Sequence, residues 1–187
     1  MLADPVDALT DVAVRLERAG IAYMLTGSVA GYFYGLNRST ADTDIVIDFA
    51  VKDVAPLVDA FRDAYFIDEL MAEDGAKTGY MFNVMPRGGG KIDFIPLRKE
   101  PFEQTKFERR VAHDWHGHAL WVATAPDLVL SKLEWSRSSH SHLQFSDIRT
   151  IIASGFVDEH DDYFQRWLST LDLHATLDAC RTEGHEA

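Results

Sequence analysis

The sequence predicts an α/β fold closed by a small C-terminal helical cap, and three observations lead there. Apolar runs at 21–25, 45–49 and 120–123 are short and sit among turn residues, the length of buried strands. Stripes at helical spacing accompany them: Val6, Leu9, Val12 or Ala13, and Leu16, then Val54, Leu57, Val58 and Phe61. From His142 onward the spacing is helical only, with Gly155 as a break.

Taken in order, Asp4 is the N-cap of a first helix, Pro5 its first residue and Gly20 its end. After the strand at 21–25, the Gly27-Ser28 turn opens a helix over 28–36. Its Tyr32, Phe33 and Tyr34 are expected in the core rather than stacked on a base. The chain returns through Arg38, Ser39 and Thr40 into a second strand that carries Asp42 and Asp44. A helix over 53–64 follows, with Pro56 in the first turn, where its missing N–H does no harm. Residues 65–67 form a short strand and 68–77 a helix closed by Thr78 and Gly79. Residues 80–85 and 91–97 form a hairpin whose tip, Pro86 to Gly90, is expected to be a flexible turn and not a phosphate cradle. A helix over 101–110, the strand at 120–123 and a helix from Pro126 to about Arg137 complete the first 137 residues. Phe164, Trp167, Leu168 and Leu171, then Leu173 and Leu177, give the last helices a packing stripe.

A chain of 187 residues can bury one sizeable core, or one core with a small appended bundle. Its net charge of −12 argues against an extended nucleic-acid surface, which needs a basic face. An acidic protein still binds a nucleotide locally when metal ions neutralise the phosphates. The single Cys180 excludes an internal disulfide and suits a reducing compartment. Neither a signal peptide nor a membrane span is legible, so the expected location is cytoplasmic.

The chemistry-bearing stretch runs from Gly27-Ser28 to Asp42-x-Asp44. On a strand, residues two apart point to one face, roughly 6–7 Å from each other. Two ionised carboxylates aimed at one spot need a cation between them. All-oxygen ligation suits a hard ion such as Mg²⁺. Gly27 permits close backbone approach to a ligand, and the helix after it offers free N–H groups to an anion.

Gly27-Ser28, a spacer, then Arg38-x-Thr40-x-Asp42-x-Asp44 resembles the signature of the nucleotidyltransferase superfamily, and within it the AbiEii-type enzymes and their small relatives. Asp93 in Lys91-Ile-Asp93 fits the family's third carboxylate, and Asp127-x4-Lys132-x4-Arg137 fits a downstream element. The resemblance covers roughly residues 20–155. It implies an α/β (α+β) mixed sheet flanked by helices, with a core over 1–124 and a helical region over 125–187 packed on it. It also implies transfer of a nucleoside monophosphate from a nucleoside triphosphate (NTP) to an unidentified acceptor: tRNA, a protein or a small molecule, with a toxin–antitoxin role conceivable. Mg²⁺ or Mn²⁺ is the implied cofactor, as a pair of ions roughly 4 Å apart. Asp42 and Asp44 would bridge both ions; Asp93 would complete the one at the acceptor and serve as its base. Gly27 and Ser28 would hold the triphosphate.

Several residues keep two readings. Asp48 shares the Asp42 face but closes the strand ~13 Å away, too far to share a metal, and suits a strand-end role. Lys132 is either a phosphate contact or a solvated helix charge, and Arg38 either a phosphate contact or a structural ion pair. Asp127 suits the first turn of its helix, where the dipole favours a carboxylate. The AbiEii-type pattern continues with a basic-Asp pair and another Asp; here His142-x-Gln144-x2-Asp147 keeps only the last. Among the eight histidines, His113, His116 and His118 lack Cys partners and helical spacing, which favours a polar hairpin over zinc. The rival class of function is a catalytically degenerate copy of the fold that serves as a binding or interaction module.

Overall fold

The computed structural model describes residues 5–38, 40, 42–139 and 141–182. Asp4, the expected N-cap, lies outside them, as does Ser39. In chain order the first elements are α1 (Pro5–Arg18), β1 (Tyr23–Thr26), α2 (Gly27–Gly31), β2 (Asp42–Ile47) and α3 (Val54–Phe61). Then come β3 (Tyr65–Phe66), α4 (Glu69–Thr78), β4 (Phe82–Pro86), β5 (Lys91–Pro96) and α5 (Pro101–Glu108). The hairpin β6 (Val111–Trp115) and β7 (His118–Val122) precedes α6 (Ala125–Ser139), α7 (His142–Ala153), α8 (Asp162–Thr170) and α9 (His174–Thr182). None of the described helices is long and apolar enough to cross a membrane.

The chain divides into two units: one takes the stretches up to Thr26 and from there resumes before Thr40 and runs to Ala123; the other takes Gly27–Arg38 and everything from Thr124. The first holds a seven-stranded mixed sheet in the order β3-β4-β5-β2-β1-β7-β6. The pairs β2–β5 and β1–β7 are parallel, the others antiparallel.

Side chains on a strand alternate between faces, so β5 serves two cores. Its Ile92 and Phe94 point to one, where Phe61, Tyr65, Phe82 and Phe94 meet edge to face at centroid distances of 5.0–5.7 Å. Its Ile95 points to the other, against Met24, Val46, Phe107 and Ala123. Asp68 caps α4 by accepting from the Leu70 and Met71 amides. The polar hairpin expected around the histidines is β6–β7, turned by His116 and Gly117, both at positive φ (52° and 85°) as a tight two-residue turn requires.

In the second unit, Leu128, Val129, Leu130 and Leu133 of α6 are buried with Phe145, Ile148 and Ile151 of α7. Phe164, Trp167, Leu168, Leu173 and Leu177 are buried as their spacing predicts, while Leu171 of the same stripe is half-buried at the end of α8. The helix expected over 28–36 is shorter: α2 ends at Gly31, and Tyr32–Tyr34 form a 3₁₀ turn. The reason is tertiary. The chain folds back so that the Leu36 amide bonds to the Gly31 carbonyl at 2.9 Å, and the Leu36 side chain fills the space a Cβ on Gly31 would take. Of the three aromatics there, Tyr34 is buried, while Tyr32 is 37% exposed and donates its hydroxyl to the Arg38 carbonyl at 2.8 Å.

Candidate functional site

The parallel pairing of β2 and β5 sets Asp44 opposite Asp93 and Asp42 opposite Lys91. Partners in register point the same way, so these four side chains form a square on one face of the sheet, with strands about 4.8 Å apart. A slip of one residue would send Ile92 and Phe94 to the polar side, so the hydrophobic core fixes the register. Asp42 is exposed, Asp44 half-buried and Asp93 3% exposed. The Lys91 ammonium lies 2.8 Å from Asp93 Oδ2 and 3.7 Å from Asp42 Oδ2. Its hydrogen bond to Asp93 raises the Lys91 pKa above the ordinary lysine value, against a smaller opposing effect of desolvation. Asp93 Oδ1 is buried with no hydrogen-bond partner. Asn83 of β4 stands opposite Asp93 on the same face.

Among the described residues, no group of three His, Cys, Asp or Glu side chains is arranged to hold a metal ion as it stands. The chemistry of the square nevertheless fits a hard divalent cation. Its donors are carboxylate oxygens on one face, and one of them, Asp93 Oδ1, is buried and unsatisfied. The Lys91 ammonium bridges Asp42 and Asp93.

A second constellation lies within the helical unit. Gly27 starts α2 with φ of +63°, a conformation other residues rarely adopt. Ser28 Oγ accepts from Arg38 Nη2. Arg38 also grips Asp147 with two hydrogen bonds of 2.9 Å. Lys132, 5% exposed, donates to Asp147 Oδ2 at 2.8 Å and to Gln144 Oε1 at 2.9 Å. Burial alone would raise the Asp147 pKa, but hydrogen bonds from Arg38 and Lys132 outweigh it and hold the carboxyl below its ordinary range.

Of the residues singled out from the sequence, Asp42, Asp44 and Asp93 thus share one sheet face, and Ser28, Arg38 and Lys132 share one hydrogen-bonded cluster. Lys132 is not a solvated helix charge, and Arg38 does make an ion pair. Asp48 is exposed just beyond β2, as a strand-end residue. Asp127 is buried in the first turn of α6, accepting from Thr124 Oγ1 at 2.6 Å and from the Tyr163 hydroxyl at 2.5 Å. Arg137 reaches the Leu171 carbonyl at 3.1 Å, so the three members of that downstream element do three different things.

The sequence reading passed over two residues. Asp147 registered only as the remnant of a departing pattern, yet it is the hub of the cationic cluster. Lys91 registered only as Asp93's neighbour, although its position two residues earlier puts it on the same strand face.

No family model matches the sequence, nor does any curated protein. Solved structures do. A nucleotidyltransferase-like antigenic protein from Paracoccidioides brasiliensis matches at 16% identity and TM-score 0.56, over 96% of this chain and 94% of that one. The antibiotic-resistance factor ANT(2'')-Ia matches at 9% identity and TM-score 0.57 over 100% of both chains. The lincosamide antibiotic adenylyltransferase LnuA, with lincomycin bound, matches at 13% identity and TM-score 0.52, over 76% of this chain and 93% of that one. Likeness at these identities establishes the fold: the chain has the nucleotidyltransferase fold, with the mixed sheet and flanking helices its sequence predicts.

Proposed function

We propose that this chain is a metal-dependent nucleotidyltransferase. It moves a nucleoside monophosphate from an NTP to an acceptor oxygen, forming the bond to the α-phosphorus as the bond to pyrophosphate breaks. The observation that carries this reading is the register that aligns Asp44 with Asp93 beside Asp42 on one sheet face. Those three carboxylates would hold Mg²⁺ or Mn²⁺. Such ions, when bound, neutralise triphosphate charge and lower the pKa of an attacking hydroxyl. Asp93 would take the acceptor's proton through its unsatisfied Oδ1. Gly27 would let the backbone approach the triphosphate. The Ser28 hydroxyl would bond it, and the cations Arg38 and Lys132, in excess over Asp147, would attract it.

ANT(2'')-Ia has been solved with adenylyl-2''-tobramycin and LnuA with lincomycin, small molecules in both cases. With a net charge of −12, a small molecule or a protein suits this chain better than tRNA. The AbiEii-type assignment and a toxin–antitoxin role rest on the Asp127, Lys132 and Arg137 spacing. A buried single thiol at Cys180 suits work in the reducing cytoplasm.

The test is incubation with each α-labelled NTP, Mg²⁺ or Mn²⁺ and a cell lysate, comparing the wild type with Asp44→Ala. Label transferred by the wild type alone, with pyrophosphate released, supports the enzyme. Equal labelling by both proteins, or by neither, contradicts it. The second reading, a degenerate binding module, draws on the ammonium that now joins Asp42 to Asp93. It predicts NTP binding without turnover.

A further inference from the structure

Lys91 is the one cation of the carboxylate square, and its position follows from the fold rather than from a chance surface contact. It stands two residues before Asp93 on β5 and opposite Asp42 on β2. The two-residue period that buries Ile92 and Phe94 on the far face leaves its side chain only this one. Its ammonium reaches both neighbours, at 2.8 Å from Asp93 Oδ2 and 3.7 Å from Asp42 Oδ2. Asp93 is 3% exposed, and a carboxylate that deep needs a partner. Lys91 provides one for Oδ2 and leaves Oδ1 buried and unsatisfied. The lysine itself is 36% exposed on a flexible stem, so its ammonium can swing to water without disturbing the sheet.

Resting on the metal-site reading above, we propose that Lys91 is a resident counterion of the Asp42 and Asp93 carboxylates, which a divalent cation must displace before those carboxylates can share it. The ammonium keeps Asp93 partnered when no metal is bound. Metal entry therefore breaks two ion pairs before it makes its own contacts, and affinity for the free ion falls accordingly. The square is then a site that a lone cation fills reluctantly.

The experiment is a titration with Mn²⁺, free ion read by electron paramagnetic resonance, on the wild type, Lys91→Met, Lys91→Arg and Asp44→Ala. Lys91→Met keeps the stem without the charge and binds Mn²⁺ about five- to tenfold more tightly than the wild type. Lys91→Arg keeps the charge and shows no such gain. In chelator, Lys91→Met melts below the wild type, and Mn²⁺ closes that gap. Should Lys91→Met not fold, Lys91→Gln takes its place and is read in the same way. Equal Mn²⁺ affinity in the wild type and the neutral variant, with Asp44→Ala weakened, overturns the role of Lys91 and leaves the metal site standing. Equal affinity in Asp44→Ala and the wild type removes the metal site, and this inference with it.

Discussion

On β2 and β5, two carboxylates, Asp42 and Asp93, share one ammonium beside a third carboxylate, Asp44; in the helical unit, one carboxylate, Asp147, takes both the Arg38 guanidinium and the Lys132 ammonium. The first cluster has a surplus of negative charge and a buried oxygen with no partner, Asp93 Oδ1. The second has a surplus of positive charge, and each Asp147 oxygen accepts at least one charged donor. An under-satisfied anionic site gains by taking a cation, while a cationic cluster gains by drawing an anion. The contrast also bears on stability: the first cluster keeps a buried oxygen without a partner, whereas in the second both Asp147 oxygens are bonded, so the fold should feel the loss of Asp147.

Changes at the two clusters should therefore show up in different measurements. The largest effect belongs to Asp93→Asn, which keeps the shape but removes the charge: NMP transfer falls about a thousandfold. The urea midpoint meanwhile stays near that of the wild type; a variant with intact transfer would break the distinction. Next is Asp147→Ala, which leaves two cations facing each other without their carboxylate. Urea unfolding should show a loss of about 3–5 kcal/mol, and a loss under 1 kcal/mol would demote the network to decoration.

The same residue makes a pH prediction. The folded-state pKa of Asp147 lies below its unfolded value of about 3.9. Its contribution is therefore fully present above the unfolded value and is lost as pH falls through the folded one. The stability gap between the wild type and Asp147→Asn should be constant from neutral pH to about pH 5, then narrow as acid is added. A gap that widens in acid contradicts the arrangement. The smallest effect is expected from Asp127→Asn, which weakens two hydrogen bonds at the start of α6 for about 1–3 kcal/mol. Transfer activity should survive that change in proportion to folded protein.

Much of this was legible in the sequence, and the parts that were not share a cause. The strands announced themselves because buried runs such as 45–47 have no other use, and Asp42 and Asp44 stood out as acids leading into that run, Asp93 as one between Ile92 and Phe94. Local chemistry likewise marked the Gly79 end of α4 and the glycine-rich β4–β5 tip. The exact length of α2 was hidden because Leu36 ends it by packing on Gly31, a contact no propensity records. The role of Lys132 was ambiguous because its burial depends on Gln144 and Asp147 arriving from α7. Arg38 and Asp147 are separated by 109 positions, so neither hints at the other. The bounds of β6 were hard to read within the expected hairpin because much of it is exposed at the sheet edge, without an apolar run. Lys91 was readable in principle: the alternation that placed Asp93 placed it too.

The most direct test is the melting temperature of the wild type and Asp44→Ala, each measured with chelator, with Mg²⁺ alone and with Mg²⁺ plus NTP. If the carboxylate face receives a metal-bound triphosphate, the wild type should gain several degrees with Mg²⁺ and NTP together, and Asp44→Ala should gain little. An identical gain in both proteins would contradict the assignment of that face.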